Sequence, residues 1–86
     1  MGNQTYLLFA FDSTNYAIAG EKTLKSLGAV VMPILREITA SCGMAIRIAP
    51  DKEEEAIALL EKSDIPSWYL YRIIQEGKKN HCEKIR

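Results

Sequence analysis

The chain reads as an α+β fold on three observations. Four apolar runs of strand length alternate with two helical patterns in the order β-α-β-β-α-β. The first run is continuously apolar, as in a strand covered on both sides, whereas the third alternates, as in a strand with one buried face. The most economical packing of that order is ferredoxin-like: a four-stranded antiparallel sheet with two helices on one face. Residues 1–86 are expected to form a single domain of this kind, with a core over about 5–74 and a polar C-terminal tail over 75–86.

The run Tyr6-Leu7-Leu8-Phe9-Ala10-Phe11 is the first strand and the central candidate. Asp12, Ser13 and Thr14 follow with oxygens suited to capping a helix. From Asn15 to Leu27, the residues Ala17, Gly20, Leu24 and Leu27 recur at steps of three or four and form a core stripe. Gly28 stands where a left-handed C-terminal residue is expected. Ala29-Val30-Val31-Met32 is β-branched and apolar, and Pro33, which has no N–H to donate, pushes this second strand to a sheet edge. In the third strand, Met44-Ala45-Ile46-Arg47-Ile48, the residues Met44, Ile46 and Ile48 face the core while Ala45 and Arg47 face the other way. Pro50 and Asp51 open a second helix, with Asp51 as N-cap, Glu54 three residues on as in a capping box, and Ala56, Ile57 and Leu60 as its core stripe. Trp68 to Ile74, aromatic and β-branched, is the fourth strand and an edge. For the tail Gln75–Arg86, fraying and a short helix are equally open.

Composition narrows the function. Eleven basic and eleven acidic residues cancel, so no global charge draws the chain to nucleic acid or anionic lipid. No apolar run is long enough for a transmembrane helix. The opening Met1-Gly2-Asn3-Gln4-Thr5 lacks the basic-then-apolar pattern of a signal peptide. Two cysteines without an export signal point to thiols in a reducing cytoplasm. The strand order is shared with RNA-recognition motifs, but the third strand offers Ala45 and Arg47 where those domains place stacking aromatics. There is no P-loop, no nucleophile elbow and only one histidine. One histidine and two distant cysteines fall short of a zinc site, and no cofactor is expected.

The stretch Arg36-Glu37-Ile38-Thr39-Ala40-Ser41-Cys42-Gly43 joins the second and third strands. Small neighbours leave the Cys42 sulfur accessible, and Gly43 permits backbone angles that other residues resist. Arg36 and Arg47 bracket the loop with positive charge, which favours a thiolate, and the start of the first helix lies at the same end of the fold. Against this, a cysteine outside any motif is more often a small buried hydrophobe. Cys82, beside His81, reads as an exposed tail thiol, and a resolving role for it has no support in the sequence. The charges Lys78, Lys79, Lys84 and Arg86 read as a solvated tail.

Most of residues 6–73 resemble the selenium/sulfur carrier-like family. The resemblance lies in Phe11-Asp12-Ser13-Thr14, in Glu21-Lys22 with Leu24, and above all in Pro33, Arg36-Glu37-Ile38, Ser41-Cys42-Gly43, Ala45 and Arg47. Leu35 stands where the family often has a second proline, and Ala40 where it often has serine; the tail with His81 and Cys82 lies outside the resemblance. The resemblance implies a cytoplasmic carrier, not a turnover enzyme, that holds a persulfide or selenium adduct on Cys42 and relays it between a donor protein and an acceptor protein. Arg36 and Arg47 would favour the anionic sulfur, Ser41 and Gly43 would donate hydrogen bonds to it, and Glu37 belongs to the same binding motif. The alternative is a small, non-catalytic binding or regulatory module of the same fold. Two sheet edges also leave room for homo-oligomers.

Overall fold

The computed structural model describes residues 4–35, 38 and 43–86. Strand β1 (Gln4–Phe11) leads into helix α1 (Thr14–Leu24), a short 3-10 turn over Lys25–Leu27, and strand β2 (Val30–Pro33). Strand β3 (Met44–Ile48), a 3-10 turn over Pro50–Lys52, helix α2 (Glu53–Lys62), and strands β4 (Trp68–Glu76) and β5 (Lys79–Lys84) complete it. The strands form one antiparallel sheet in the order β2-β3-β1-β4-β5. The α+β class with two helices is therefore present, but the sheet has five strands where the sequence suggests four.

β1 sits in the middle, and Tyr6–Phe11 is at most 5% exposed throughout. Burial on both faces explains why this strand is continuously apolar instead of alternating. Leu7, Phe9 and Phe11 join Ile46, Ile48 and Leu70 in a cluster under Ala17 and Leu24 of α1 and Ala56 and Leu60 of α2. The Phe9 ring meets the Trp68 ring at 5.7 Å and a tilt of 60°, a favourable edge-on arrangement. On the opposite face Tyr6, Leu8, Ala45 and Ile73 form a second cluster, covered not by a helix but by Ile38.

Local chemistry sets the element ends. The Ser13 hydroxyl accepts from the Tyr16 N–H at 3.2 Å and caps α1, as its sequence position suggests. Gly28 (φ 80°) turns the chain out of the 3-10 segment and donates its N–H to the Lys25 carbonyl. The expected capping box at Asp51 and Glu54 is not made. Pro50–Lys52 instead winds as a 3-10 turn, and α2 starts at Glu53 from Lys52 with no side-chain cap. Glu53, Glu54 and Glu55 still place negative charge where the helix dipole favours it.

The segment from Gln75 onward neither frays nor turns helical. Gln75 and Glu76 extend β4, and Gly77 (φ 59°) with Lys78 makes a two-residue turn into β5. A glycine with positive φ at the first turn position, followed by a residue of negative φ, matches the type II′ hairpin turn. β5 covers the flank of β4, so β4 is an inner strand and not the expected edge. Backbone pairing continues past β5, the Ile85 N–H donating to the Leu70 carbonyl at 2.8 Å and the Leu70 N–H to the Arg86 carbonyl at 2.9 Å. The Arg86 guanidinium then lies 4.9 Å from the Trp68 ring centre and 3.0 Å from Glu61 of α2. Arg72 contacts Glu83 across the hairpin at 2.7 Å and Glu53 of α2 at 3.6 Å. These pairs are exposed and each adds at most about 1 kcal/mol, so they orient the hairpin more than they hold it.

Gly20 marks a close approach of α1 to the sheet. A Cβ built there would lie 2.5 Å from Phe11 Cζ and 2.9 Å from Cε1. Gly20→Ala gains about 1 kcal/mol of helix propensity but forces a fully buried ring to move, at a cost of about 1–3 kcal/mol. A net loss of up to about 2 kcal/mol is expected in urea unfolding; a variant more stable than the parent would contradict this packing.

Candidate functional site

The sequence directs attention to the segment between β2 and β3, and its two ends are well defined. The Ile34 N–H donates to the Gly43 carbonyl at 3.0 Å, adding one rung beyond the Pro33–Met44 pair of the β2–β3 ladder. The Ile38 N–H donates to the Leu35 carbonyl at 3.0 Å. Ile38 is 5% exposed and lies in the helix-free cluster with Tyr6, Leu8, Ala45 and Ile73, while Ile34 and Leu35 pack at its margin. The segment thus has an anchor in the sheet face at its middle and a backbone rung at its base.

Of the residues singled out from the sequence, Arg36, Glu37, Ser41 and Cys42 lie outside the described residues, and with them the distance from Cys42 to the start of α1. Pro33, Met44 and the β1 exit into α1 do share one end of the sheet, since Ala10 pairs with Ala45 and Pro33 with Met44. Gly43 is exposed, and its φ is not positive: among the described residues only Gly28 and Gly77 adopt such angles. Its expected conformational role is therefore not used here. A Cβ at Gly43 would meet nothing within 4 Å, so the position simply leaves open space next to the loop.

Arg47 is exposed on the helix-free face, opposite Leu8 on one side and Val30 on the other. Its guanidinium carbon stands 4.3 Å above the Tyr6 ring centre. That contact fixes the arginine stem along the sheet while its charge faces water. Two further cation–aromatic contacts were not visible in the sequence, and one of them is on the same face: Lys84 Nζ lies 5.2 Å from the Tyr69 ring.

Cys82 is not an exposed tail thiol. It pairs with Ile73, is half-buried, and packs against the helix-free cluster that holds Ile38. The sequence signal for this was the Gly77-Lys78 pair, which turns the chain back along β4. His81 points its Nε2 to Glu76 at 2.7 Å. Among the described residues, no three His, Cys, Asp or Glu side chains are grouped to hold a metal ion.

Asp12 does more than border a helix cap. The Ser67 hydroxyl donates to its Oδ2, and the Tyr69 hydroxyl donates to its Oδ1 at 3.0 Å. These bonds join the exit of β1 to the entry of β4. The carboxylate both accepts the phenol's hydrogen bond and repels a phenolate, so Tyr69 titrates above the ordinary tyrosine value.

No helix among the described residues is long and apolar enough to cross a membrane. The helix-free positions where an RNA-recognition motif would stack bases hold Leu8 and Ala45, with Ile38 packed over them.

Two predictions follow the site's physics. Ile38→Ala removes the anchor and should cost about 2–4 kcal/mol; amide exchange at Ile34 and Ile38 should accelerate more than at Leu7 and Leu8, and equal acceleration would argue against a local anchor. For Tyr69 the folded-state pKa is raised, so its contribution to stability is complete below about pH 10 and is lost as pH rises through the folded value. Asp12→Asn should move one tyrosinate absorbance transition to lower pH. Tyr69→Phe should remove that transition, and an unchanged profile in either variant would refute the assignment.

The comparisons with known proteins complete the site. No curated protein and no solved structure matches the chain. The family model described as "Putative Se/S carrier protein-like" matches residues 6–72, from β1 through the β2–β3 segment and into β4. With more than half of its length matched, the chain belongs to the Se/S carrier protein-like family.

Proposed function

We infer that this protein is a thiol-based carrier of sulfur or selenium, with Cys42 as the carrying atom's anchor. The observation that carries the reading is the family match across residues 6–72, which takes in the whole Arg36–Gly43 segment. The anchored geometry agrees with it. A carrier thiol must be presented to two protein partners in turn, and the segment that bears it is held at Ile38 and at the Ile34–Gly43 rung.

The transfer balances as thiol exchange. The Cys42 thiolate attacks the outer sulfur of a donor persulfide, the donor's S–S bond breaks, and the donor leaves as a thiolate while Cys42 carries the persulfide. The acceptor's nucleophile repeats the step on the outer sulfur and Cys42 leaves as a thiolate. Arg36 and Arg47 supply positive potential for the anionic states, Ser41 and Gly43 supply an O–H and an N–H, and Glu37 completes the recognition motif. The donor and acceptor are proteins, and the reducing cytoplasm is the compartment in which such thiols persist.

Incubating the reduced protein with a cysteine desulfurase and cysteine should add the mass of one sulfur atom, reversible by reductant and mapped to Cys42. Cys42→Ser should gain none. Arg47→Ala should load about two- to fivefold more slowly, the range expected of one solvent-facing charge. No sulfur on Cys42 would end the carrier reading, and retention of partner binding by Cys42→Ser would then favour the binding-module alternative.

A further inference from the structure

We propose that the helix-free face of the sheet docks a partner protein through an extended acidic segment whose carboxylates engage Arg47 and Lys84. This deepens the carrier reading, on which it rests for the partner's being a protein, and gives that partner a chemistry.

Strand register puts the two cations on one line. Val30 pairs with Arg47, Arg47 with Leu8, Leu8 with Tyr71, and Tyr71 with Lys84, a single row across all five strands. These side chains share the helix-free side, because the alternate positions Val31, Ile46, Leu7 and Leu70 pack in the cluster under the helices. The row is open at its ends: Val30 is 57% exposed, and Arg47 and Lys84 are exposed. Tyr71 is half-buried, and Leu8 is fully buried in the cluster that holds Ile38. The Tyr6 ring braces Arg47 at 4.3 Å and the Tyr69 ring braces Lys84 at 5.2 Å. Both cations are thus held on the face before a partner arrives, which lowers the ordering cost of binding.

The charge along this row has one sign. Glu76 and Glu83, the acids of the described strands, fall at alternate positions on the helix side, where Glu83 meets Arg72 and Glu76 meets His81. Asp12, at the rim, is engaged by the Ser67 and Tyr69 hydroxyls. Arg47 and Lys84 stand three strand spacings apart, about 14 Å. Four residues of extended chain cover about 13 Å and return a side chain to the same side. Carboxylates four residues apart on an extended segment therefore match the two cations, with an apolar residue between them set near Tyr71. Nucleic acids and anionic membranes are held by clusters of about four or more cations, and a second copy of this face brings cations against cations. An acidic protein segment is the occupant that complements two.

The probe is a labelled peptide of about ten residues with two glutamates four positions apart, a valine midway and threonine or serine elsewhere. It is titrated into the full chain at low salt by fluorescence anisotropy and by amide chemical shifts. Binding should weaken with added salt, and the shifts should gather at Val30, Arg47, Tyr71 and Lys84 and spare α1 and α2. Arg47→Gln and Lys84→Gln should each weaken binding about two- to fivefold, with the rest of the amide spectrum unchanged. A double variant, Arg47→Glu with Lys84→Glu, should prefer the same peptide with lysines in place of glutamates, which an unfolded chain would not do. No binding, shifts confined to the helices, or equal affinity for the lysine peptide overturns the proposal. So does equal affinity for a ten-nucleotide oligouridylate or for phosphatidylserine vesicles, or self-association through this face. None of those results touches sulfur loading of Cys42, so the carrier reading survives them. Peptide binding as expected with no sulfur on Cys42 ends the carrier reading and supports the face as the surface of a binding module.

Discussion

The double burial of β1 is the constraint on which the rest of this structure depends. A strand that is apolar on both sides must be covered on both sides, and two helices cover only one. The second face needs its own cover, and Ile38, with Ile34 and Leu35 at its margin, provides it from the segment between β2 and β3. Withdrawing a side chain of that size from water stabilises by about 2 kcal/mol, enough to bias a short segment strongly toward the sheet. Ile38, from the segment between β2 and β3, is therefore part of the core's solution, called for by the same hydrophobic requirement that places β1 in the centre.

The β4–β5 hairpin has a comparable double effect. It converts β4 from an edge to an inner strand and leaves a polar edge in β5, where lysines discourage pairing with other chains. It also carries Arg72 and Arg86 to Glu53 and Glu61, tying the sheet's flank to α2 on one face. On the other face it delivers Cys82. The family match ends at residue 72, before the turn, so this second thiol arrives on an element beyond the matched region.

Charges on the helix-free face are held by aromatic rings and backbone position, not by buried ion pairs. Arg47 rests on Tyr6 and Lys84 lies over Tyr69, whose hydroxyl is in turn held by Asp12. Both cations remain near water and escape the desolvation cost of a buried charge. Asp12, by bonding to Ser67 and Tyr69, keeps the entry of β4 in line with the exit of β1 at the loop end of the sheet.

Much of this was legible in local sequence. The continuous run Tyr6–Phe11 marked the central strand, the spacing of Ala17, Gly20 and Leu24 marked the buried side of α1, Ser13 marked its cap, and Pro33 marked an edge. Each of these depends on residues close in the chain or on a single chemical property, such as the missing N–H of proline. The motif around Cys42 likewise identified the family from residue identities alone. Other features were decided only by tertiary structure. Asp51 and Glu54 had the spacing of a capping box, but Pro50 wound the entry as a 3-10 turn and shifted the helix start. The polar residues of β5 carry little strand signal, because their pairing is bought by the neighbouring backbone of β4. Ile38 read as one apolar residue in a loop, and Cys82 as a tail thiol, until the two clusters showed which face each one serves. Residue identities determined the family; packing across the sheet decided that Ile38 covers the helix-free face and that Cys82 lies on that same face.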